Sequence, residues 1–414
     1  MTVYILGTLD TKGTEVGYVR DLLNRYGVAT KVVDVGCLGE PALNADISRD
    51  AIFEAAGVTL AEVQAANDRG QAISLASVGA ARLVAAAYAK GDVAGVLALG
   101  GSAGTNIGTA AMRGLPLGLP KLMVSTLASG QTRPYVGSRD ILMLNAVVDI
   151  AGLNRISRKV LENAARAMAG MVSFSPSQAD EAASKDLPLI AATMFGVTTP
   201  CVERARHVLE QAGYEVLVFH ATGIGGEAME GLIADGMFDG VLDITTTELA
   251  DEIVGGILTA GPNRMTAAGK LGIPQVISVG ALDMVNFGGI VPSTGLPEGA
   301  AEEFRDRQFY RHNATVTLMR TTPNENRLIG EEIGRKAAAA TGPVSILLPR
   351  QGISAIDKVG QPFHDANARE ALFNGIRATS GETEVIEVDQ HINDTQFAEA
   401  AAKKLLQLIE RSTT

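Results

Sequence analysis

The chain has 414 residues, 46% hydrophobic, 20% charged and 4% aromatic, with a formal charge of −11 from 35 basic and 46 acidic residues. An acidic chain without a basic run excludes sequence-independent binding of nucleic acid, which needs clustered Lys and Arg; a small phosphorylated ligand held by backbone N–H groups is still compatible. Cys37 and Cys201 give neither a disulfide framework nor metal spacing. With no run of about 18 apolar residues and an apolar run directly after Met1, a cytoplasmic protein of two or three domains without a membrane partner is expected.

In chain order, residues 3–6 form a short apolar run followed by the polar turn Gly7-Thr8-Leu9-Asp10-Thr11-Lys12-Gly13. Val16, Val19, Leu22 and Leu23 then recur at helical spacing up to Gly27, and residues 29–35 are rich in β-branched side chains. This predicts a βαβ unit. A helix ends near residue 89, and residues 95–99 predict a third, buried strand running into Gly100-Gly101-Ser102-Ala103-Gly104-Thr105. Gly118-Leu119-Pro120 precedes a fourth strand at 122–125, and residues 150–171 read as a long Ala-rich helix.

The second half repeats the order. A strand at 189–193 is followed by a loop and helix, Gly213 ends that helix, and a strand follows at 215–219. Gly240-Val241-Leu242-Asp243-Ile244 matches Gly95-Val96-Leu97-Ala98-Leu99, and Gly272-Ile273-Pro274 with its strand matches Gly118-Leu119-Pro120 with its own. Strands at 344–348 and 384–388 and helices to about 340, at 366–378 and from 395 extend this half. The polar stretch 173–186 has linker composition. The expectation is an α/β protein of two similar doubly wound, Rossmann-like domains with mainly parallel sheets, residues 1–178 and 185–414.

In such sheets ligands bind beyond the carboxyl ends of the strands. The segment Gly100-Gly101-Ser102-Ala103-Gly104-Thr105 stands there at a helix start, where glycines admit a ligand to the backbone and successive N–H groups cradle an anion. It is neither a Walker loop nor G-x-G-x-x-G. It does fit G-x-S-x-G with Ser102 as nucleophile, but no His partner is identifiable by sequence; a tight turn without a ligand is the other reading. In the first loop Lys12 can meet a phosphate, and Asp10 can hold magnesium through water or cap a helix, as Thr11 can. Asp34, at the second strand end, can accept from ribose hydroxyls. Arg69-Gly70-Gln71 opens a helix.

In the second domain, Cys201 falls in a first helical turn, where the helix field lowers a thiol pKa unless the side chain is buried and inert. Gly223-Ile224-Gly225-Gly226-Glu227-Ala228 is a loose, misplaced match to a dinucleotide turn, so a dehydrogenase is disfavoured. Asp243-Ile244-Thr245-Thr246-Thr247-Glu248 and Asp283 follow strands and, with few Lys or Arg nearby in sequence, are expected to repel one another.

Together these segments resemble the family of the tomato mosaic virus resistance protein. The resemblance rests on Gly7-Thr8, Asp10-Thr11-Lys12, Arg69-Gly70-Gln71-Ala72, Gly100-Gly101-Ser102 and Ala128-Ser129-Gly130-Gln131-Thr132. In the second half it rests on residues 194–201, 218–223, 242–248, 278–288 and 318–322. It implies ATP and magnesium on the first domain. Asp10, Thr11 and Lys12 would form the first nucleotide loop, Asp34 the acidic strand end, and Arg69, Gly70 and Gln71 the helix-start contacts. Gly100, Gly101, Ser102, Ala103, Gly104 and Thr105 would form the phosphate loop. Ala103 replaces a glycine of the plant pattern and would crowd the loop if that position needs positive φ.

The function expected is an ATP-dependent enzyme acting on a small anionic metabolite in an interdomain cleft. Asp243, Glu248, Asp283 and His220 are its catalytic candidates, Arg320 orients the anion, and a homodimer is expected. The alternative is a nucleotide-binding regulatory or interaction module without turnover.

Overall fold

A computed structural model describes residues 2–174 and 187–412. The expected linker lies, from residue 175 to 186, outside the described residues. The chain divides into two compact units, Met1–Ser184 and Lys185–Thr414.

The first unit is built on a five-stranded sheet: β1 (Thr2–Gly7), β2 (Thr30–Asp34), β3 (Val93–Gly100), β4 (Lys121–Ser125) and β5 (Leu142–Asn145). Its order is β2-β1-β3-β4-β5, and every pair is parallel. The central strands β1 and β3 are apolar along most of their length because both faces are covered. Val3, Ile5, Leu97 and Leu99 pack under the helices Leu9–Arg25 and Arg155–Ser173, and Tyr4, Leu6, Val96 and Ala98 pack under Arg69–Ala89 and Ser102–Arg113 on the other side. The extra stretch of the first half holds two short helices, Arg49–Ala56 and Leu60–Ala66. Among the described helices one, Arg69–Ala89, is long and apolar enough to cross a membrane. It lies against Arg49–Ala56 so closely that a Cβ on Gly79 would stand 1.9 Å from the Ile52 carbonyl oxygen.

The second unit carries β6 (Leu189–Met194), β7 (Glu215–His220), β8 (Gly240–Thr245), β9 (Gln275–Gly280), β13 (Val344–Pro349) and β14 (Glu384–Val388) in one parallel sheet. Read from its other edge, its order is β7-β6-β8-β9-β13-β14. Renumbered within the domain this is 2-1-3-4-5-6, the order of the first sheet with one strand added. The sequence repeat is thus a repeat of topology: β3 and β8 are the third strands, β4 and β9 the fourth. Both sheets reverse their winding between the first and third strands, at β1/β3 and at β6/β8, which is where doubly wound sheets open a crevice.

Between β9 and β13 the chain inserts β10 (Met284–Phe287), β11 (Phe309–Arg311) and β12 (Thr317–Arg320), an antiparallel sheet of order β10-β12-β11. The helices Pro323–Ala338 and Ala366–Thr379 then pack backbone to backbone. A Cβ on Gly330 would stand 2.2 Å from the Leu372 carbonyl oxygen, and one on Gly375 2.3 Å from that of Arg327.

Gly330→Ala and Gly375→Ala should each force these helices apart and cost about 1–3 kcal/mol. Gly213→Ala meets open space but positive φ, and should cost less. Denaturant melts that rank Gly213→Ala as the most damaging would contradict the close packing.

Candidate functional site

At the carboxyl rim of the first sheet, the β1 and β3 loops flank the switch point. With the β2 loop and the start of the helix Arg69–Ala89 they form a small pocket of about 90 Å³ lined by Thr8, Asp10, Thr11, Gly36, Cys37, Leu38, Arg69 and Ala103, among others. Gly101 caps the helix Ser102–Arg113 without a side-chain hydrogen bond, and the first backbone bond of that helix is Thr105 N–H to Gly101 O at 2.8 Å. The N–H groups of Ser102, Ala103 and Gly104 therefore lack helical acceptors. A Cβ on Gly100 would meet Gly104 Cα at 2.8 Å, so Gly100 must be glycine; a Cβ on Gly101 would meet only Thr126 Oγ1, at 3.8 Å. The loop is closed on itself at Gly100 and open to solvent at Gly101.

Arg69 opens its helix beside this pocket, and its side chain, like that of Lys12 in the first helical turn after β1, makes no hydrogen bond or ion pair among the described residues. Gly70 and Gln71 are exposed next to it, with Asp68 capping the helix through the Gln71 N–H at 3.0 Å. Asp10 Oδ2 accepts from the N–H groups of Leu38 (3.0 Å) and Gly39 (3.3 Å), which ties the β2 loop to the first helix. Its Oδ1 is buried without a partner. Burial and the Asp10 charge raise the pKa of the Cys37 thiol, so it stays protonated at the pocket wall.

Three expectations change here. Asp34 is not available to a ribose: it is buried, its Oδ1 accepts from the N–H groups of Leu9 and Gly36, and its Oδ2 pairs with Arg49 Nε at 2.7 Å. Thr105 is turned inward, its hydroxyl 2.6 Å from that of Ser125. Ala103 is an ordinary helical residue and not among those with positive φ, so its methyl does not strain the loop. Ser102 is exposed, and every histidine of the chain lies beyond residue 200, so this domain contains no histidine to act as base for a serine nucleophile.

The second rim is organised by a cation that sequence spacing did not reveal. Arg264, fully buried, makes a two-pronged contact with Asp243 (2.6 and 2.7 Å) and donates from Nε to Glu248 Oε2 at 2.7 Å. Glu248 Oε1 accepts from the N–H groups of Gly223 (2.7 Å) and Gly226 (3.1 Å), and Thr193 donates to Asp243 at 2.7 Å. The glycine turn that loosely matched a dinucleotide motif is thus filled by the chain's own carboxylate. The expected repulsion between Asp243 and Glu248 is cancelled by Arg264, and both serve as buried anchors of the fold. Burial raises the Glu248 pKa while Arg264 opposes the rise, and the three carboxylates around Arg264 hold it charged. Cys201 is fully buried, which pushes its thiol far up and leaves it inert. His220 is exposed at the end of the edge strand β7, three strands from β9, or about 14 Å at ordinary strand spacing. It does not join Asp283.

Asp283 belongs to a separate buried network. Its Oδ2 accepts from Ser354 Oγ at 2.7 Å, and Asp357 is held by Arg369 at 2.9 Å. Arg320 donates to the Asp283 and Phe363 carbonyls, with its Nη2 3.9 Å from Asp357 Oδ1. Asp283 Oδ1, Arg320 Nη2 and His364 Nδ1 are buried without hydrogen-bond partners. Burial pushes the Asp283 carboxyl up to about 7, Asp357 adds to the rise, and Arg320 and Ser354 oppose it. Ala281, two residues earlier, holds φ 59°, a conformation that costs a non-glycine residue free energy.

With this geometry in hand, the comparisons are direct. The family model described as "Uncharacterised protein family (UPF0261) N-terminal domain" matches residues 1–177, and its C-terminal counterpart matches residues 187–409. The chain belongs to the UPF0261 family. It is 48% identical over 411 residues to the UPF0261 protein of Clostridium tetani, covering 99% of both chains. It is 40% identical to the tomato (Solanum lycopersicum) protein "ToMV resistance protein Tm-1(GCR237)", covering 99% of this chain and 56% of that one. The tomato "ToMV susceptible protein tm-1(GCR26)" is 39% identical over the same shares. Among solved structures, a putative UDP-N-acetylglucosamine 2-epimerase from Listeria monocytogenes aligns over 94% of this chain and 98% of that one, at 12% identity and a TM-score of 0.24, too low to carry an argument.

In this UPF0261 chain the rim residues without a signal in the sequence are Arg49, Arg264, Ser354, Asp357 and Arg369. Arg264→Ala would leave Asp243 and Glu248 buried without their cation and should cost about 3–5 kcal/mol. A thermal melt within a degree or two of wild type would contradict its role.

Asp283 titrates near 7 when folded and near 3.9 when unfolded. The folded state binds the extra proton, so this group lowers stability as pH rises from about 4 to about 7, with no further change above. Asp251, pushed by burial to about 7, acts in the same direction. Asp283→Asn should flatten that slope and melt at least as high as wild type at pH 8. Parallel melting-temperature profiles between pH 5 and pH 8 would contradict the assignment.

Proposed function

We propose that the first domain binds ATP with magnesium at the β1/β3 rim, and that the protein uses it in an enzymatic reaction on a small anionic metabolite. The observation that carries the nucleotide reading is the open cradle: three first-turn N–H groups without helical acceptors behind a glycine whose Cβ position is empty. Arg69 lines the adjoining pocket and Lys12 lies in the first turn of the helix after β1, each with a side chain that has no partner among the described residues, as phosphate contacts require. The small pocket suits the phosphate end of a nucleotide, with the rest lying along the exposed rim. Among the described residues no group of three or more His, Cys, Asp or Glu side chains could hold a metal ion. Magnesium would therefore arrive with the phosphates and keep several waters, with Asp10 Oδ1 as its protein-side acceptor. Asp283 is the group suited to carry a proton near neutral pH, and Arg320 Nη2 is the adjacent unused donor.

A second reading, a nucleotide-binding regulatory or interaction module without turnover, gains support from Asp243 and Glu248, which are held by Arg264. The plant relatives named for resistance and for susceptibility are about equally similar to this chain, so that similarity does not point to an antiviral role. Phosphorus NMR of ATP with the protein and a panel of small carboxylates and phosphate esters separates the two readings. The enzyme reading expects at least one compound to accelerate ATP consumption, and its loss in Asp283→Asn.

Magnesium-ATP at about 100 times its Kd should stabilise the protein by roughly 2.7 kcal/mol. Gly101→Val should keep the native melt and lose this response, because its side chain fills the ligand's space. Lys12→Ala should weaken ATP much more than adenosine, which lacks the charge that the ammonium reads. A titration in which no purine nucleotide shifts the melt, or in which Gly101→Val binds normally, would overturn the nucleotide reading.

A further inference from the structure

The segment Ala128-Ser129-Gly130-Gln131-Thr132 has no part in the nucleotide cradle, yet it borders a second opening on the same rim. Between the ends of β4 and β5 lies a polar pocket of about 350 Å³, lined by Thr126, Ser129, Asn145, Val147, Val148 and Asp149. Its volume is at the lower end of the range for small-molecule sites.

The lining has unused hydrogen-bonding capacity. The Thr126 and Ser129 hydroxyls and the Asp149 carboxylate make no hydrogen bond or ion pair among the described residues, and Asn145 uses its Oδ1 on the Val147 N–H (3.1 Å) and leaves its amide NH₂ free. Val147 is β-branched, holds φ 66° and is 68% exposed. Left-handed φ is rare for such a residue, and strained backbone of this kind collects at ligand clamps. The pocket shares a wall with the glycine loop: the Thr126 N–H donates to the Gly100 carbonyl at 3.4 Å, and Thr126 Oγ1 is the atom nearest the open side of Gly101.

We propose that this pocket is a second-ligand subsite of the first domain, taking a small uncharged molecule with several hydroxyl groups. The chemistry of the wall selects that class. Two hydroxyls and an amide both donate and accept, the carboxylate accepts from hydroxyls, and no Lys or Arg lines the pocket to attract an anion. Its position beside the phosphate loop makes the bound molecule a neighbour of the nucleotide's phosphate end, a role that rests on the nucleotide reading above; the pocket itself does not.

The test uses the full chain with methyl-labelled valine, and the Val147 and Val148 resonances report the pocket. The probes are neutral polyols and monosaccharides of three to six carbons, with inorganic phosphate as the anionic control. At least one polyol should move both resonances saturably, phosphate should not, and Asp149→Ala should weaken that binding at least fivefold without changing the melt. If no polyol moves them, if phosphate alone does, or if Asp149→Ala binds equally well, the proposal is overturned. The amide signals of Ser102, Ala103 and Gly104 are followed in the same samples with magnesium and a non-hydrolysable ATP analogue. Silence there with a polyol response at Val147 would sink the nucleotide reading and leave the subsite standing; the reverse would do the opposite.

Discussion

A carboxylate of the chain fills the backbone turn after the second strand in both domains, while the glycine turn after β3 takes none from the described residues. In the second domain Glu248 follows the third strand of its sheet, enters the turn at Gly223–Gly226 and is locked there by Arg264. In the first domain the corresponding loop after β2 is held by Asp10 through the Leu38 and Gly39 N–H groups, whereas the third strand ends in Gly100-Gly101 and no anion among the described residues accepts from the N–H groups behind it. Backbone N–H groups at a helix start attract whichever negative group can reach them. The turns after β2 and β7 take that group from their own chain, and the turn after β3 leaves the place open.

The topology makes this contrast meaningful. Both sheets run 2-1-3-4-5 in domain numbering, so equivalent loops occupy equivalent places on their rims. Helices cover both faces of each sheet, which confines polar chemistry to the strand ends. The rim of the first domain carries unpaired Arg69 and Lys12. The rim of the second carries Asp243 and Glu248 already paired with Arg264, and a separate network around Asp283 in which three buried polar atoms remain unmatched. Unmatched buried groups of this kind are uncommon and call for water, a proton or a ligand.

Much of the fold is legible in the sequence, because a strand buried on both faces is a short apolar run and a covering helix repeats its apolar residues every three or four positions. The matches of Gly95 with Gly240 and of Gly118 with Gly272 correctly pair the third and fourth strands of the two domains. The antiparallel insert at 284–320 was not foreseen, since its strands are three or four residues long and sit among turns. The site is less legible. Asp34 at a strand end looks like a ribose acceptor until Arg49, fifteen residues on, folds back onto it. Arg264 lies sixteen residues from Glu248 in sequence, in a loop without periodicity, and Ser354 lies seventy-one residues from Asp283. Pairings of that span are set by tertiary packing and leave no local pattern.

The central claim is that the Gly101–Gly104 cradle of the first domain is kept open for a nucleotide's phosphates. The most direct measurement is a crystal structure of the protein with magnesium and a non-hydrolysable ATP analogue. Triphosphate density within hydrogen-bonding distance of the Ser102, Ala103 and Gly104 N–H groups, with Arg69 or Lys12 in contact, is the predicted result. Nucleotide bound elsewhere on the chain, or an empty cradle at saturating nucleotide, would contradict it.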